Sequence, residues 1–180
     1  MWQTQRPKLK RLSCDSFVLS IKVHHDRHLY CGLNNGTLQL WDLQQKMGEK
    51  LTDMEVHDKG VKVGKNQHLH IFREINGFFL FQSLDVGDDF IVTGSYDCTA
   101  KIWSKTTLTE WTLFHVISLH DDSIWDLKLK NDTLVTGGLD GVIGIFSLAN
   151  REFQVRNLFK VGYLFSINEF ELCIFCHLGM

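Results

Sequence analysis

A short motif that recurs three times constrains the fold of this chain more than any other feature. The segment Phe90–Trp103 reads FIVTGSYDCTAKIW, in which two runs rich in β-forming residues flank a turn-like segment, as in a β-hairpin. Related segments occur at His28–Trp41 and Thr133–Phe146. In each copy a glycine stands nine residues before the final aromatic residue, and an Asp or Asn stands six residues before it. Three copies with the same internal offsets indicate a repeat protein.

These motifs carry a family resemblance. The segments Asn34–Leu43 (NNGTLQLWDL), Gly94–Trp103 and His120–Leu129 (HDDSIWDLKL) are similar to WD-repeat β-propeller sequence, over roughly residues 15–160. WD repeats are about 40–45 residues long and form four strands per blade. The resemblance therefore implies an all-β fold, an incomplete β-propeller of about three four-stranded blades.

The expected organisation has three parts. Residues 1–14 lead into the propeller, residues 15–160 form the blades, and residues 161–180 form either a partial blade or a non-native tail. The three blades are expected at 15–56, 57–118 and 119–160. Because propellers close with about 4–8 blades, we expect this chain to be a fragment of a longer propeller or to borrow blades from a second copy.

The spacing of the second repeat is irregular. The 62 residues from Asn35 to Asp97 are too many for one repeat and too few for two. Removing the 20 residues 64–83 corrects this distance, and it also brings His57 as close to Asp97 as the equivalent pair in the third repeat. We therefore predict an insertion at 64–83 that resembles a translated intron. The alternative is a degenerate blade built around Asn66.

The resemblance also implies a structural hydrogen-bond set. In WD repeats a His before the inner strand, a Ser or Thr in the second strand, the turn Asp and the Trp form a buried chain, which satisfies polar groups that water cannot reach. The matching residues are His57, Thr93, Asp97 and Trp103 in the second repeat, His120, Thr136 and Asp140 in the third, and Asn35 and Trp41 in the first. The histidine of the second repeat is His57 if residues 64–83 are an insertion, and it is missing if they count as part of the repeat. Phe146 replaces the third Trp, and Asp15 and Cys31 stand at the remaining positions of the first repeat. We expect these residues to be structural, and we expect no enzyme activity.

A propeller usually functions by binding other proteins through loops that rigid blades hold in place. The hairpin turns and the loops that lead into each blade should lie on one face. The candidate partner contacts on that face are Tyr96, Asn34, Lys59, Asp122 and Leu139. Tyr96 is the preferred contact, because exposed Tyr is enriched at binding hot spots.

The N-terminal segment suggests a subgroup. It resembles the segment that joins the F-box to the propeller in F-box/WD proteins, at positions Trp2, Arg6, Leu9, Arg11 and Cys14. This resemblance implies the substrate-recognition propeller of a ubiquitin-ligase receptor, which binds a degradation substrate and reaches the ligase core only through an F-box absent from this chain. The alternative is a general WD-repeat scaffold for complex assembly in trafficking, RNA processing or signalling.

Composition argues against several other classes of protein. The formal net charge of −2 does not indicate a nucleic-acid surface. No apolar run reaches the roughly 18 residues of a transmembrane helix, and the first residues do not resemble a signal peptide. We therefore expect a cytoplasmic or nuclear protein with reduced cysteines, no membrane association and no nucleic-acid partner.

Two motifs resemble cofactor or metal sites, and we expect neither to bind a cofactor or a metal ion. Cys173–His177 matches the C-x-x-C-H pattern of haem attachment, but no export signal accompanies it. His24, His25 and His28 are possible metal ligands, but their i, i+4 spacing converges only on a helix, and this segment is predicted to be a hairpin turn.

Overall fold

The computed structural model of the chain describes residues 11–44, 48–57 and 81–160. Its strands are β1 (Val18–His24), β2 (His28–Leu33), β3 (Thr37–Asp42), β4 (Glu49–Glu55), β5 (Phe81–Val86), β6 (Phe90–Ser95), β7 (Ala100–Lys105), β8 (Trp111–Ile117), β9 (Ile124–Lys130), β10 (Thr133–Gly138), β11 (Val142–Ser147) and β12 (Gln154–Lys160). They form three four-stranded antiparallel sheets, which we call blade one (β1–β4), blade two (β5–β8) and blade three (β9–β12). The expected all-β architecture of four-stranded blades is confirmed.

Strand β6 shows how the blades pack. Successive side chains of a strand point to opposite faces. Accordingly, Phe90 and Val92 belong to a buried cluster shared with blade three, whereas Ile91 belongs to a cluster shared with blade one. All six residues of β6 are buried. A strand that is covered on both faces reads as a continuous apolar run, which is why this segment lacks a polar–apolar alternation.

Two apolar cores therefore lie between neighbouring blades. The core between blades one and two consists of Tyr30, Leu38, Leu40, Val56, Leu84, Val86, Ile91, Trp103 and Trp111. The core between blades two and three consists of Phe90, Val92, Ala100, Ile102, Ile117, Ile124, Leu127, Leu134, Phe146 and Leu148. Each fully buried Leu, Ile or Phe contributes about 1.5–3 kcal/mol, so the stacking of blades is the main source of stability.

The motif glycine of blade two lies where two blades pack closely. Gly94 faces blade three, and a Cβ atom at this position would lie 2.5 Å from Ser83 Oγ and 2.7 Å from Ile124 Cγ2. Any larger side chain would have to push the inner strand of blade three outward. The glycine is therefore required by packing rather than by the turn that follows it.

The inner strands β1, β5 and β9 meet at a buried carboxylate. Asp85 of β5 is 2% exposed. Its Oδ1 lies 2.6 Å from Lys22 Nζ of blade one, and its Oδ2 accepts a hydrogen bond of 2.8 Å from the backbone N–H of Leu129 in blade three. A buried charge needs such partners, so this residue ties all three blades together.

Blade one leaves apolar side chains exposed on the face that points away from blade two. Lys22 reaches toward blade two, so its neighbours Ile21 and Val23 point the other way, and they are 63% and 46% exposed.

The end of the predicted insertion needs a correction. Phe81 pairs with Ser95 as Ile124 pairs with Gly138, so residues 81–83 occupy the first three positions of the inner strand of blade two. They were predicted to be the last three residues of the insertion 64–83. The rest of that range lies outside the described residues, as do Asn66, the tail 161–180 and most of the N-terminal segment.

Candidate functional site

The structure brings together the four residues that the resemblance assigns to the hydrogen-bond set of blade two. His57 Nδ1 lies 3.0 Å from Asp97 Oδ2, and its Nε2 lies 3.0 Å from Thr93 Oγ1. Trp103 Nε1 donates to the same Thr93 hydroxyl at 3.2 Å. His57 and Thr93 are buried, at 2% and 0% exposure. A continuous polar chain thus runs from the β6–β7 turn into the core.

The chemistry of the chain assigns the protons. An ionised carboxylate only accepts hydrogen bonds, so in the tautomer that fits this chain His57 donates from Nδ1 to Asp97. Its Nε2 then accepts from the Thr93 hydroxyl, and the hydroxyl oxygen accepts from Trp103. In this arrangement every buried donor and acceptor has a partner, which is what makes a buried polar network favourable.

Asp97 also shapes the turn itself. Its Oδ1 accepts hydrogen bonds from the backbone N–H of Thr99 at 2.8 Å and from the Thr99 hydroxyl at 2.6 Å, across Cys98, which has a left-handed φ of 69°. Burial acts to raise the pKa of Asp97, but the hydrogen bonds from His57 and Thr99 outweigh it and hold the pKa below its usual value. The ionised carboxylate therefore stabilises the folded turn.

Blade three repeats this arrangement with one member changed. His120 Nδ1 lies 3.2 Å from the Asp140 carboxylate, and its Nε2 lies 2.8 Å from Thr136 Oγ1. Phe146 occupies the position of the tryptophan and is fully buried. At Gly138, a Cβ atom would lie 2.5 Å from both His120 Nδ1 and Asp140 Oδ1, so this glycine leaves room for the pair.

The described residues of blade one form no such chain. Among them, Asn35 Oδ1 accepts only from the backbone N–H of Thr37, at 3.1 Å, and Asp15 accepts from Gln39 at 2.7 Å. Trp41 Nε1 is buried and has no acceptor among the residues that the structure describes. The thiol of Cys31 stands at the position of Thr93; burial, followed by the neighbouring Cys14, raises its pKa to about 12.

The candidate partner contacts fall into two groups. Tyr96, Asn34 and Leu139 are half-buried at the three hairpin turns. Asp122 differs from the prediction, because it is only 4% exposed: its Oδ1 accepts from the backbone N–H of Ser123 at 2.7 Å and therefore turns inward. Lys59 lies outside the described residues.

Two of these residues flank one short loop. The backbone N–H of Leu139 donates to Ser123 O at 2.9 Å. Burial, followed by the negative charge of Asp122, raises the pKa of Tyr96. Leu139 of blade three thus bonds to the loop that enters β9, and Tyr96 of blade two lies near enough to this loop for the charge of Asp122 to act on it. We call Tyr96, Leu139 and this loop, residues 121–123, the turn-face patch.

A different cluster lies at the opposite end of the blades, where sequence reasoning expected no metal site. His24 Nε2 and His25 Nε2 lie 3.3 and 2.9 Å from Asp88 Oδ1, and the three ligand atoms lie within 4.8 Å of one another. His28 is not part of this group. Burial, followed by the positive charge of Lys105, lowers the pKa of His24. Sequence reasoning missed Asp88 because it lies on another blade.

Comparison with known proteins agrees with this geometry. Residues 82–104, from β5 to β7 of blade two, match the family model described as "WD domain, G-beta repeat". The solved structure of Saccharomyces cerevisiae Sqt1 superposes with a TM-score of 0.60 over 83% of this chain, at 18% sequence identity. This chain has the fold of a WD-repeat propeller. The described residues contain no helix that is long and apolar enough to span a membrane.

Similar proteins are much longer than this chain. Human striatin-4 is 24% identical over 156 residues, which is 80% of this chain and 19% of striatin-4. The "Probable cytosolic iron-sulfur protein assembly protein 1" of Neurospora crassa is 31% identical over 74 residues, which is 37% of this chain and 16% of that protein. The chain thus spans less than a fifth of these relatives and 37% of Sqt1.

Proposed function

We propose that this WD-repeat chain is a protein-interaction module that binds its partner with the turn-face patch. The observation that carries the proposal is the anchoring of the turns around Tyr96 and Leu139. His–Asp hydrogen bonds of 3.0 and 3.2 Å anchor the turns of blades two and three to the buried histidines. The side chains at the tips of these turns are therefore held in position before a partner binds. A partner that binds such a surface loses little conformational entropy in ordering it.

The composition of the patch suits another protein. Tyr96 offers a large ring and a hydroxyl with only two rotatable bonds, and Leu139 adds apolar area beside it. Aromatic anchors of this kind dominate the energetics of protein interfaces. The buried carboxylate of Asp122 and the exposed side chain of Asp121 make the patch acidic, which favours a partner segment that presents hydrogen-bond donors or a positive charge.

Replacing Tyr96 tests this proposal. Partners would first be isolated with the complete protein and identified, and their affinities would then be measured by calorimetry. Tyr96→Ala is expected to weaken binding at least about tenfold, as for a hot spot, with an unchanged melting temperature. The control is Leu108→Ala, which truncates a 40% exposed side chain in the β7–β8 loop at the opposite end of the blade. Equal affinities for Tyr96→Ala and the parent would remove the patch as the binding surface.

A narrower function within this class is the substrate receptor of an F-box/WD ubiquitin ligase, working in the cytoplasm or nucleus. The N-terminal resemblance supports it, and Leu12 and Cys14 pack against the blade-one cluster of Cys31, Leu33 and Trp41. Sequencing the transcript upstream of the Met1 codon provides the test. An F-box in the same reading frame would support a ubiquitin-ligase receptor, whereas a different upstream domain would favour a general assembly scaffold. That the module is not an enzyme remains a prediction.

A further inference from the structure

We propose that His24, His25 and Asp88 form a binding site for a divalent transition-metal ion, with zinc as the first candidate, at the junction of blades one and two. This site is separate from the turn-face patch and lies at the other end of the blades. It does not depend on the proposed function.

The positions of the three ligand atoms fit a metal ion. Zinc bonds to imidazole nitrogen and carboxylate oxygen are about 2.0–2.2 Å long, so tetrahedral ligands stand about 3.3–3.5 Å apart. His24 Nε2 and His25 Nε2 lie 3.3 and 2.9 Å from Asp88 Oδ1. Small side-chain rotations would therefore bring all three atoms into one coordination sphere. Two imidazoles and one carboxylate favour zinc, cobalt, nickel or copper over magnesium or calcium.

The backbone explains how two consecutive histidines reach the same point. Along a strand, neighbouring side chains point to opposite faces. Here β1 ends at His24, and the chain turns with left-handed φ values of 50° at both His25 and Asp26, closed by a 3.3 Å hydrogen bond from the N–H of Arg27 to His24 O. The turn swings His25 back beside His24, so that both rings approach Asp88 of the β5–β6 loop.

The surroundings leave room to complete a coordination sphere. His24 and Asp88 line a cavity of about 280 Å³ together with Asp89, Asn131 and Asp132. Water or one of these oxygen atoms could supply a fourth ligand from that side. The positive charge of Lys105 would repel a cation at this site, but its Nζ donates a hydrogen bond of 2.7 Å to the carbonyl oxygen of Gly87. The carboxylates of Asp88 and Asp89 offset its charge, and Asp89 also pairs with Arg151.

A metal at this position would link two blades. His24 and His25 belong to blade one and Asp88 belongs to blade two, and 63 residues separate His25 from Asp88. A ligand that binds only the folded state raises its stability in proportion to the logarithm of the ligand concentration over the dissociation constant. Zinc binding should therefore raise the melting temperature of the chain. The competing arrangement is the direct His25–Asp88 hydrogen bond with no metal.

The test uses the full chain carrying Cys173→Ser and Cys176→Ser, because the thiols of that C-x-x-C pair are themselves good zinc ligands. Zinc chloride alone is titrated by calorimetry, and cobalt chloride by absorption. We expect one equivalent to bind, a cobalt spectrum without sulfur-to-metal charge transfer, and a higher melting temperature with zinc. His25→Ala and Asp88→Asn should each weaken zinc binding at least about tenfold, since each removes one of three ligands.

The control is His115→Ala on β8, which removes a histidine far from the cluster and should leave zinc affinity unchanged. His25 and Asp88 have side chains that are 69% and 80% exposed, so their variants should fold normally, and metal-free thermal unfolding checks this. The proposal is overturned if the parent carrying Cys173→Ser and Cys176→Ser binds no zinc, or if His25→Ala and Asp88→Asn bind it as tightly as that parent.

Discussion

Blades one and two each bury a tryptophan at the same position of the third strand, but only the indole N–H of blade two has a hydrogen-bond acceptor in the described part of the chain. Trp103 in blade two is 7% exposed and donates to Thr93 at 3.2 Å. Trp41 in blade one is 8% exposed, and its Nε1 has no acceptor in the described part of the chain, because Cys31 replaces the threonine. Loss of the acceptor alone therefore leaves a buried donor unsatisfied.

Blade three shows the alternative outcome. There the donor itself is replaced, since Phe146 stands where blade two has its tryptophan. Thr136 then serves only His120, at 2.8 Å, and no indole N–H is left without a partner. Replacing a buried donor with an apolar group of similar shape costs little, whereas removing only its acceptor costs the desolvation of the donor. Blade three should thus be less impaired by its substitution than blade one.

The largest expected effect comes from removing the threonine hydroxyl that each of blades two and three has at the same position. Thr93→Val leaves both His57 Nε2 and Trp103 Nε1 without a hydrogen-bond partner and should lower the free energy of unfolding by about 2–4 kcal/mol. Thr136→Val leaves only His120 Nε2 without its partner and should lower the free energy of unfolding by about 1–2 kcal/mol. Urea unfolding of the full chain measures both. Thr112→Val, at an exposed position of β8, is the control and should change stability by less than about 0.5 kcal/mol. Equal losses at Thr93 and Thr136 would show that Trp103 gains nothing from its hydrogen bond.

A repair of blade one should have an intermediate effect. Cys31→Thr places a hydroxyl where Thr93 stands in blade two, and it should raise the free energy of unfolding by about 1 kcal/mol through a new bond from Trp41 Nε1. The same substitution in a Trp41→Phe background should give no such gain, because the donor is absent. This double-mutant cycle isolates the pair. An equal gain in both backgrounds would attribute the effect to packing rather than to the indole.

The smallest expected effect concerns pH. The pKa of Asp97 is lower in the folded state than in the unfolded chain, so its stabilising contribution is complete above the unfolded value of about 3.9 and is lost as pH falls through the folded value. The free energy of unfolding of the parent should therefore decrease more steeply below about pH 4 than that of Asp97→Asn. Glu55→Gln, an exposed substitution on β4, should keep the slope of the parent. Superimposable pH profiles for Asp97→Asn and the parent would contradict this assignment.

The sequence anticipated the blade architecture because its signals are local. Strand alternation, hairpin turns and the offsets between Gly, Asp and Trp all fall within about ten residues of one another. The equivalence of His57 with His120 was also predictable, although 40 residues separate His57 from Asp97 and only 20 separate His120 from Asp140. The 20 surplus residues lie between His57 and Phe81, the first residue of β5, and the His–Asp contact is intact.

Only the tertiary structure decided the burial of one loop residue, the first residue of one strand and the contacts between loops of different blades. The burial of Asp122 follows from a 2.7 Å hydrogen bond to its own neighbour, which no spacing rule foretells. The start of β5 at Phe81 depends on pairing with Ser95. The meeting of His24 and His25 with Asp88 depends on a left-handed turn and on the stacking of two blades. A repeat pattern specifies each blade through short-range geometry, but where loops of adjacent blades converge is set by the angle and depth at which the blades pack.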